Sequence, residues 1–168
     1  EEVFSINDTV DEYFFEAQVI SIEPELRMNN GEEDRVITLD QIKAIDIHKE
    51  ALVLRTLPNA DNKKVLNYSD TNPAYLEREI ATYLIEKGVK HLLLDLPSVD
   101  RESDGGVLAF HHDFWEVPEN PNHERTITEL IFVEDTIKDG DYLLNLQVAP
   151  FENDASPSRP VLYEIQMK

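Results

Sequence analysis

The stretch Asp95-Leu-Pro-Ser-Val-Asp100 places two carboxylates and a hydroxyl after an apolar run, and the pair His111-His112 follows shortly afterwards. Residues 91–96 are typical of a short buried strand. A strand that ends in carboxylates and then turns toward two imidazoles brings metal-type or acid-base ligands to its carboxyl end. Sites in α/β folds tend to form at that end of the strands. We therefore expect the chemistry of this protein to lie here.

The same residues also have ordinary structural interpretations. Adjacent histidines in a helix commonly have one packed ring and one solvated ring. Asp95 and Asp100 could orient a histidine ligand, or they could cap the helix after them, which is the more frequent role of Asp at such a turn. Ser98 has no histidine at nucleophile-elbow spacing, which argues against a serine hydrolase.

Aromatic residues surround the histidine pair. Phe110, Phe114 and Trp115 could line an apolar pocket for an aromatic substrate, although aromatic clusters more often form core. The remaining histidines, His48, His91 and His123, have no partner pattern in the sequence.

Composition limits the classes of function. With 168 residues we expect one domain, and a formal charge of −20 would repel a nucleic-acid backbone. There is no cysteine, so any metal must bind to His, Asp or Glu. No apolar run is long enough to span a membrane, and no targeting signal precedes the first strand, which favours a cytoplasmic protein. Because the chain starts at Glu1 without Met, we expect residues 1–168 to be a single, N-terminally incomplete domain.

Local patterns predict an alternating α/β order. Thr38 and Gln41 form a capping box at the start of a short helix, and Gly88 ends a longer one that enters at Asn72-Pro73. The strand before and the strand after this longer helix suggest a parallel crossover. Residues 29–34 and 58–73 are polar and predict loops. The predicted strands are 13–22, 51–56, 91–96, 126–133, 142–148 and 161–165, and the predicted helices are 39–45, 73–87 and 107–115.

This order of elements resembles the cyclase family of metal-dependent hydrolases, which includes kynurenine formamidase and isatin hydrolase. The resemblance is carried by Gly88-Val-Lys-His-Leu-Leu-Leu-Asp-Leu-Pro-Ser-Val-Asp100, by the histidine pair, by Asp139-Gly-Asp-Tyr-Leu-Leu144 and by Asp154-Ala-Ser-Pro-Ser-Arg159. The first metal motif of the family, His-x-Gly-Thr-His-x-Asp, does not occur in this chain.

The resemblance implies a mixed β-sheet core of the swivelling β/β/α type with flanking helices. It also implies a homodimer or higher homo-oligomer that hydrolyses a small amide or cyclic amide, such as N-formylkynurenine, with Zn²⁺ or Mn²⁺. The family pattern maps a metal ligand onto His111 and another onto Glu129. From the residues themselves we expect His112, Asp95, Ser98, Asp100, Phe110 and Trp115 to lie beside these ligands or in the substrate pocket. No catalytic residue can be assigned within this chain.

Three alternatives remain at this point. Glu129 could be a solvent-facing strand residue between Ile127 and Ile131. The chain could be a non-catalytic or truncated family member that acts in an assembly. It could also be a small-ligand-binding α/β domain that uses the aromatic residues near Trp115.

Overall fold

A computed structural model describes residues 4–29 and 31–165. Within these residues nine strands form two sheets, and short helices connect them. The strands are β1 Phe14–Ile22, β2 Glu25–Asn29, β3 Glu32–Ile37, β4 Ala51–Thr56, β5 Tyr75–Leu76, β6 His91–Leu94, β7 Thr126–Thr128, β8 Gly140–Val148 and β9 Ser158–Glu164. The α-helices are α1 Ile6–Thr9, α2 Leu39–Lys43, α3 Glu79–Glu86 and α4 Ala109–Trp115, and a 3-10 helix spans Asp61–Val65.

The main sheet has six strands in the order β7-β6-β4-β1-β8-β9. Strands β7, β6, β4 and β1 are parallel, whereas β8 pairs antiparallel with β1 and β9 pairs antiparallel with β8. All six residues of β4 are buried, as expected for a central parallel strand that is covered on both faces. The predicted mixed α/β sheet with flanking helices is confirmed.

Two apolar layers cover the main sheet. Helices α2, α3 and α4 pack on one face, where Leu52, Leu92, Ile80 and Phe110 are fully buried in one cluster. The opposite face forms a second cluster around Val53, which is covered in part by the apolar side chains of residues 131–137. The sheet therefore separates a helical side from a loop-covered side.

The capping box predicted at Thr38 and Gln41 is present at the start of α2. The Thr38 hydroxyl accepts the backbone N–H of Gln41, and the Gln41 side chain accepts the backbone N–H of Thr38. Gly88 follows α3 with φ +78°, a conformation that glycine adopts without the cost of a Cβ. Both local signals therefore act as predicted.

The predicted helix over residues 73–87 is wrong in its first half. Tyr75 and Leu76 form β5, which pairs in parallel with Val36 and Ile37 of β3, and the helix begins only at Glu79. The 3-4 spacing of apolar residues continues across this boundary, so periodicity alone predicts a longer helix. Pairing with β3 decides the conformation instead.

Two other predicted boundaries differ from the structure. Residues 29–34 are not only a loop, because β2 and β3 form an antiparallel hairpin on either side of the turn. The strand predicted over 126–133 ends at Thr128, and Leu130 adopts a left-handed conformation with φ 55°. Within the described residues no helix has the length and apolar character needed to cross a membrane.

His91 is a buried histidine inside the sheet. Its ring lies 3.9 Å from the ring of Phe15, centroid to centroid, and Nδ1 is 2.9 Å from the hydroxyl of Thr126. Burial, and to a smaller extent the charge of Lys90, lowers the pKa of His91 from 6.5 to about 4. The folded protein therefore keeps this ring neutral where the unfolded chain takes up a proton.

We expect this histidine to make stability fall as the pH decreases from 6.5 toward 4. Since the unfolded chain binds the extra proton in this window, the free energy of unfolding should drop by about 2–3 kcal/mol between pH 6.5 and 4.5. Urea unfolding should show this drop in the wild type and should not show it in His91→Leu. An exposed-histidine control, His112→Leu, should keep it, and equal pH slopes in all three proteins would contradict the assignment.

Candidate metal site

Asp100 connects the loop after β6 to the start of α4. Its carboxylate accepts the backbone N–H of Phe110 at 2.8 Å and of His111 at 3.3 Å, and lies 2.7 Å from His111 Nδ1. The residue is buried. Of the two roles considered for Asp100, capping the helix and orienting a histidine, the structure shows both.

His111 and Glu129 are brought together from α4 and from the segment after β7. His111 Nε2 lies 3.5 Å from Glu129 Oε1, and the His111 side chain is only 14% exposed. Glu129 Oε1 also accepts the backbone N–H of Val99 at 3.1 Å. Because Asp100 holds Nδ1, the other ring nitrogen faces the carboxylate of Glu129.

The two carboxylates change the protonation of His111. Burial by itself lowers the pKa of this ring, but hydrogen bonds to Asp100 and Glu129, together with their charges, outweigh it and raise the pKa to about 9. The pKa of Asp100 is lowered: burial raises it, but the hydrogen bonds from His111 and from the helix backbone outweigh burial. At neutral pH a positive imidazolium therefore lies between two carboxylates, in the place where a divalent cation would compete with its proton.

Glu129 is not a solvent-facing strand residue. It follows the last residue of β7, and its side chain is 28% exposed. The next residues leave the strand register, with the backbone N–H of Leu130 donating to Leu96 and that of Ile131 donating to Leu94. The bend at Leu130 thus occurs directly beside the carboxylate that faces His111.

The other residues of α4 divide between core and surface. Phe110 is fully buried and stacks on Phe114, with ring centroids 6.1 Å apart, so of the two alternatives considered for this residue, pocket and core, the structure places it in the core. The ring of Trp115 is half-buried and lies 5.0 Å from the His111 ring, centroid to centroid. His112 is exposed, and its side chain makes no hydrogen bond to any residue in 4–29 or 31–165.

Asp95 and Ser98 shape the surroundings of the site without contacting His111. The carboxylate of Asp95 is completely buried, accepts the backbone N–H and hydroxyl of Thr56, and lies 2.9 Å from Lys63 Nζ. The hydroxyl of Ser98 accepts the backbone N–H of Asp100 at 3.1 Å, which tightens the turn. Asp95 therefore neither orients His111 nor caps α4.

Two groups that bind the carboxylates of Asp95 and Glu129 could not be predicted from the sequence. Lys63 lies in a polar stretch whose pattern does not indicate a buried partner. The donor of Val99 is a backbone N–H, which every residue except proline carries, so the residue type gives no indication of its role. Arg55, at the end of β4, pairs with Asp139 at 2.9 Å and is structural. These contacts depend on elements far apart in the chain.

The geometry fits part of a divalent-metal site. Imidazole and carboxylate suit Zn²⁺ and Mn²⁺, and a carboxylate on the second ring nitrogen is a common partner of a metal-bound histidine. Within the described part of the chain no group of three or more His, Asp or Glu side chains is arranged to hold an ion. His111 and Glu129 would thus supply two of the three or four protein ligands that a stable site usually takes.

Comparison with known families decides the relationship. Residues 4–101, more than half of the chain, match the family described as "Putative cyclase". The chain belongs to this cyclase family. The kynurenine formamidase of Bacillus mycoides (strain KBAB4) is 32% identical over 138 residues, which cover 78% of this chain and 62% of that protein. The chain therefore spans about three fifths of the length of this cyclase-family relative.

Solved structures of cyclase-family type share the fold. A potential metal-dependent hydrolase with cyclase activity superposes with a TM-score of 0.66 at 16% identity, covering 92% of this chain and 67% of the other. An isatin hydrolase bound to the product analogue thioisatinate superposes with a TM-score of 0.57 at 18% identity, covering 86% and 58%. At these identities the likeness establishes the cyclase fold.

Proposed function

We propose that this cyclase-family protein is a divalent-metal-dependent hydrolase of an aryl formamide, with N-formylkynurenine as the substrate to test first. The observation that supports the proposal is the convergence of His111 Nε2 and Glu129 Oε1, 3.5 Å apart, with Asp100 on the other ring nitrogen. The relatives named kynurenine formamidase suggest the amide. The solved neighbour described as a metal-dependent hydrolase suggests the ion.

The residues of the chain have separate tasks in this proposal. His111 and Glu129 would hold the ion together with further ligands, and Asp100 keeps the proton on Nδ1 so that Nε2 presents its lone pair. A bound Zn²⁺ or Mn²⁺ supplies Lewis acidity, which makes water more acidic and polarises an amide carbonyl. The ring of Trp115 shields one side of His111 and offers an aromatic surface to a substrate ring.

The direct test is metal content followed by turnover. The purified protein is equilibrated with Zn²⁺ or Mn²⁺ and desalted, its metal is measured by elemental analysis, and hydrolysis of N-formylkynurenine is followed with and without a chelator. We expect about one ion or more per chain and hydrolysis that the chelator abolishes and added metal restores. A protein that retains no metal and hydrolyses no aryl formamide would contradict the proposal.

A second candidate is binding of a small apolar ligand without turnover, and a cavity favours it. This cavity has a volume of about 740 Å³, within the usual range of ligand pockets. It is lined by Glu129 of the candidate metal site and by four apolar side chains of the main sheet, Val53, Leu93, Leu144 and Leu146. The four apolar side chains belong to the loop-covered face of the sheet, whereas α4 with His111 covers the other face, so the cavity reaches the candidate site at Glu129. Binding of an aromatic compound to metal-free protein, weakened by Leu146→Trp, would support this second function.

A further inference from the structure

The small sheet of β2, β3 and β5 contains a completely buried carboxylate, Asp34. It accepts hydrogen bonds from the amides of Asn29 at 3.0 Å and Asn72 at 2.8 Å, and from the hydroxyl of Tyr75 at 2.9 Å. Burial raises the pKa of Asp34, but these donors and Arg101 outweigh it and hold the pKa well below its ordinary value. Asp34 is therefore a fixed negative charge.

The fourth residue that donates to Asp34, Arg101, comes from the loop that carries Asp100. Arg101 Nε lies 3.1 Å from each oxygen of Asp34. The same guanidinium donates Nη2 to Glu32 at 2.5 Å and Nη1 to the carbonyl of Ser103 at 3.1 Å. A planar guanidinium that is held on three sides has little rotational freedom. The backbone next to Asp100 is thereby tied to β3.

A second connection runs from the small sheet to Glu129. Leu76 of β5 donates its backbone N–H to the carbonyl of Val99 at 2.9 Å, and Val99 donates its own N–H to Glu129 Oε1 at 3.1 Å. Leu76 is itself paired with Ile37 of β3. Residues 99–101 therefore contact the small sheet on one side and both halves of the candidate site on the other.

We propose that the small sheet is the positioning device of the site, and that Asp34 and Arg101 are positioning residues for the Asp100–His111 pair. The proposal deepens the proposed function and rests on it for the identity of the bound ion. Neither residue touches His111. Their contribution is to fix the loop so that the Asp100 carboxylate meets Nδ1 and the N-terminus of α4 at the same time.

The test uses a signal that does not require metal. In the wild type the Nδ1–H proton of His111, hydrogen-bonded to Asp100, should give a protected downfield NMR resonance, assigned by its loss in His111→Asn. In Arg101→Gln this resonance should broaden or disappear, while Asp34→Asn should have the same effect. In the same variants the dissociation constant for Zn²⁺ or Mn²⁺ should rise by about 10–100-fold, as expected when a residue outside the ligand set stops orienting a ligand.

Two matched controls separate positioning from general stability. Arg27→Gln removes an arginine of the same small sheet that pairs with Glu25 and Glu77 and has no hydrogen bond or ion pair to the 98–104 loop. Arg55→Gln removes a buried arginine of the main sheet that pairs with Asp139. Both should retain the His111 resonance. Arg101→Lys, which keeps the charge but not the planar fork, provides a milder variant if Arg101→Gln does not fold.

The NMR results and the metal and turnover measurements can fail independently of each other. An unchanged His111 resonance in folded Arg101 variants would overturn the positioning role, whatever the wild type binds or hydrolyses. Loss of the resonance in Arg27→Gln and Arg55→Gln as well would also overturn it, because the effect would then be general loosening. A wild type that shows the resonance but retains no metal would contradict the proposed function and leave the positioning role supported.

Discussion

Replacement of His111 by alanine is expected to weaken divalent-metal binding by about 100-fold or more, and to abolish aryl-formamide hydrolysis. The reason is geometric, because Nε2 is the ring nitrogen that faces Glu129, and Asp100 already occupies Nδ1. Removing the ring also leaves two carboxylates facing each other without a cation between them. Isothermal titration with Zn²⁺ and Mn²⁺ measures the first effect, and absorbance of the released kynurenine measures the second.

The neighbouring histidine provides the matched control. His112 is exposed and its side chain has no hydrogen-bond partner among residues 4–29 and 31–165, so His112→Ala should change the metal dissociation constant by less than about threefold. Glu129→Gln, which removes the charge but preserves the shape, should fall between the two histidine variants. Similar small effects of all three substitutions would remove His111 and Glu129 from the site.

Lys63→Met is expected to cost about 3–5 kcal/mol of unfolding free energy, the largest effect on stability that we predict. The Nζ of Lys63 lies 2.9 Å from an Asp95 carboxylate that is completely buried, and the lysine side chain is only 13% exposed. Without the ammonium group, the donors left to the buried Asp95 carboxylate within residues 4–29 and 31–165 are the backbone N–H and hydroxyl of Thr56, and no cation balances it there. Urea unfolding at neutral pH measures the loss.

The adjacent lysine tests whether burial causes this effect. Lys64 also forms ion pairs, to Asp61 and Glu134, but its side chain is 41% exposed. Lys64→Met should therefore cost less than about 1 kcal/mol. Combining Lys63→Met with Asp95→Asn should recover part of the lost stability, since the uncompensated charge disappears. Equal costs for Lys63→Met and Lys64→Met would contradict the importance of the buried pair.

Asp95 and Asp100 lie at opposite ends of the segment 95–100. Asp95 and Asp100 belong to one motif in the sequence, yet Asp95 stabilises the junction of β4 and β6 while Asp100 orients His111. Loss of the Lys63–Asp95 pair is therefore expected to lower the free energy of unfolding, whereas loss of the Asp100–His111 pair is expected to weaken metal binding. A Lys63 variant that still folds should therefore keep its metal affinity.

Features that depend on neighbouring residues could be predicted from the sequence. The continuous apolar runs of β4 and β6, the capping box at Thr38 and the stop at Gly88 can all be recognised from a few consecutive residues. The short helix that carries His111 is also as predicted. Backbone propensity and burial pattern act locally, so these elements could be predicted without knowledge of their tertiary partners.

Only the tertiary structure decided the rest. Tyr75 and Leu76 become a strand because β3 offers them backbone partners, and β7 ends at Thr128 because the chain turns at Leu130. The approach of His111 to Glu129, and of Lys63 to Asp95, joins segments that have no local signal for each other. The residue types at the site could be predicted from the motif, whereas their mutual orientation is set by long-range hydrogen bonds and burial, whose energies depend on partners distant in the chain.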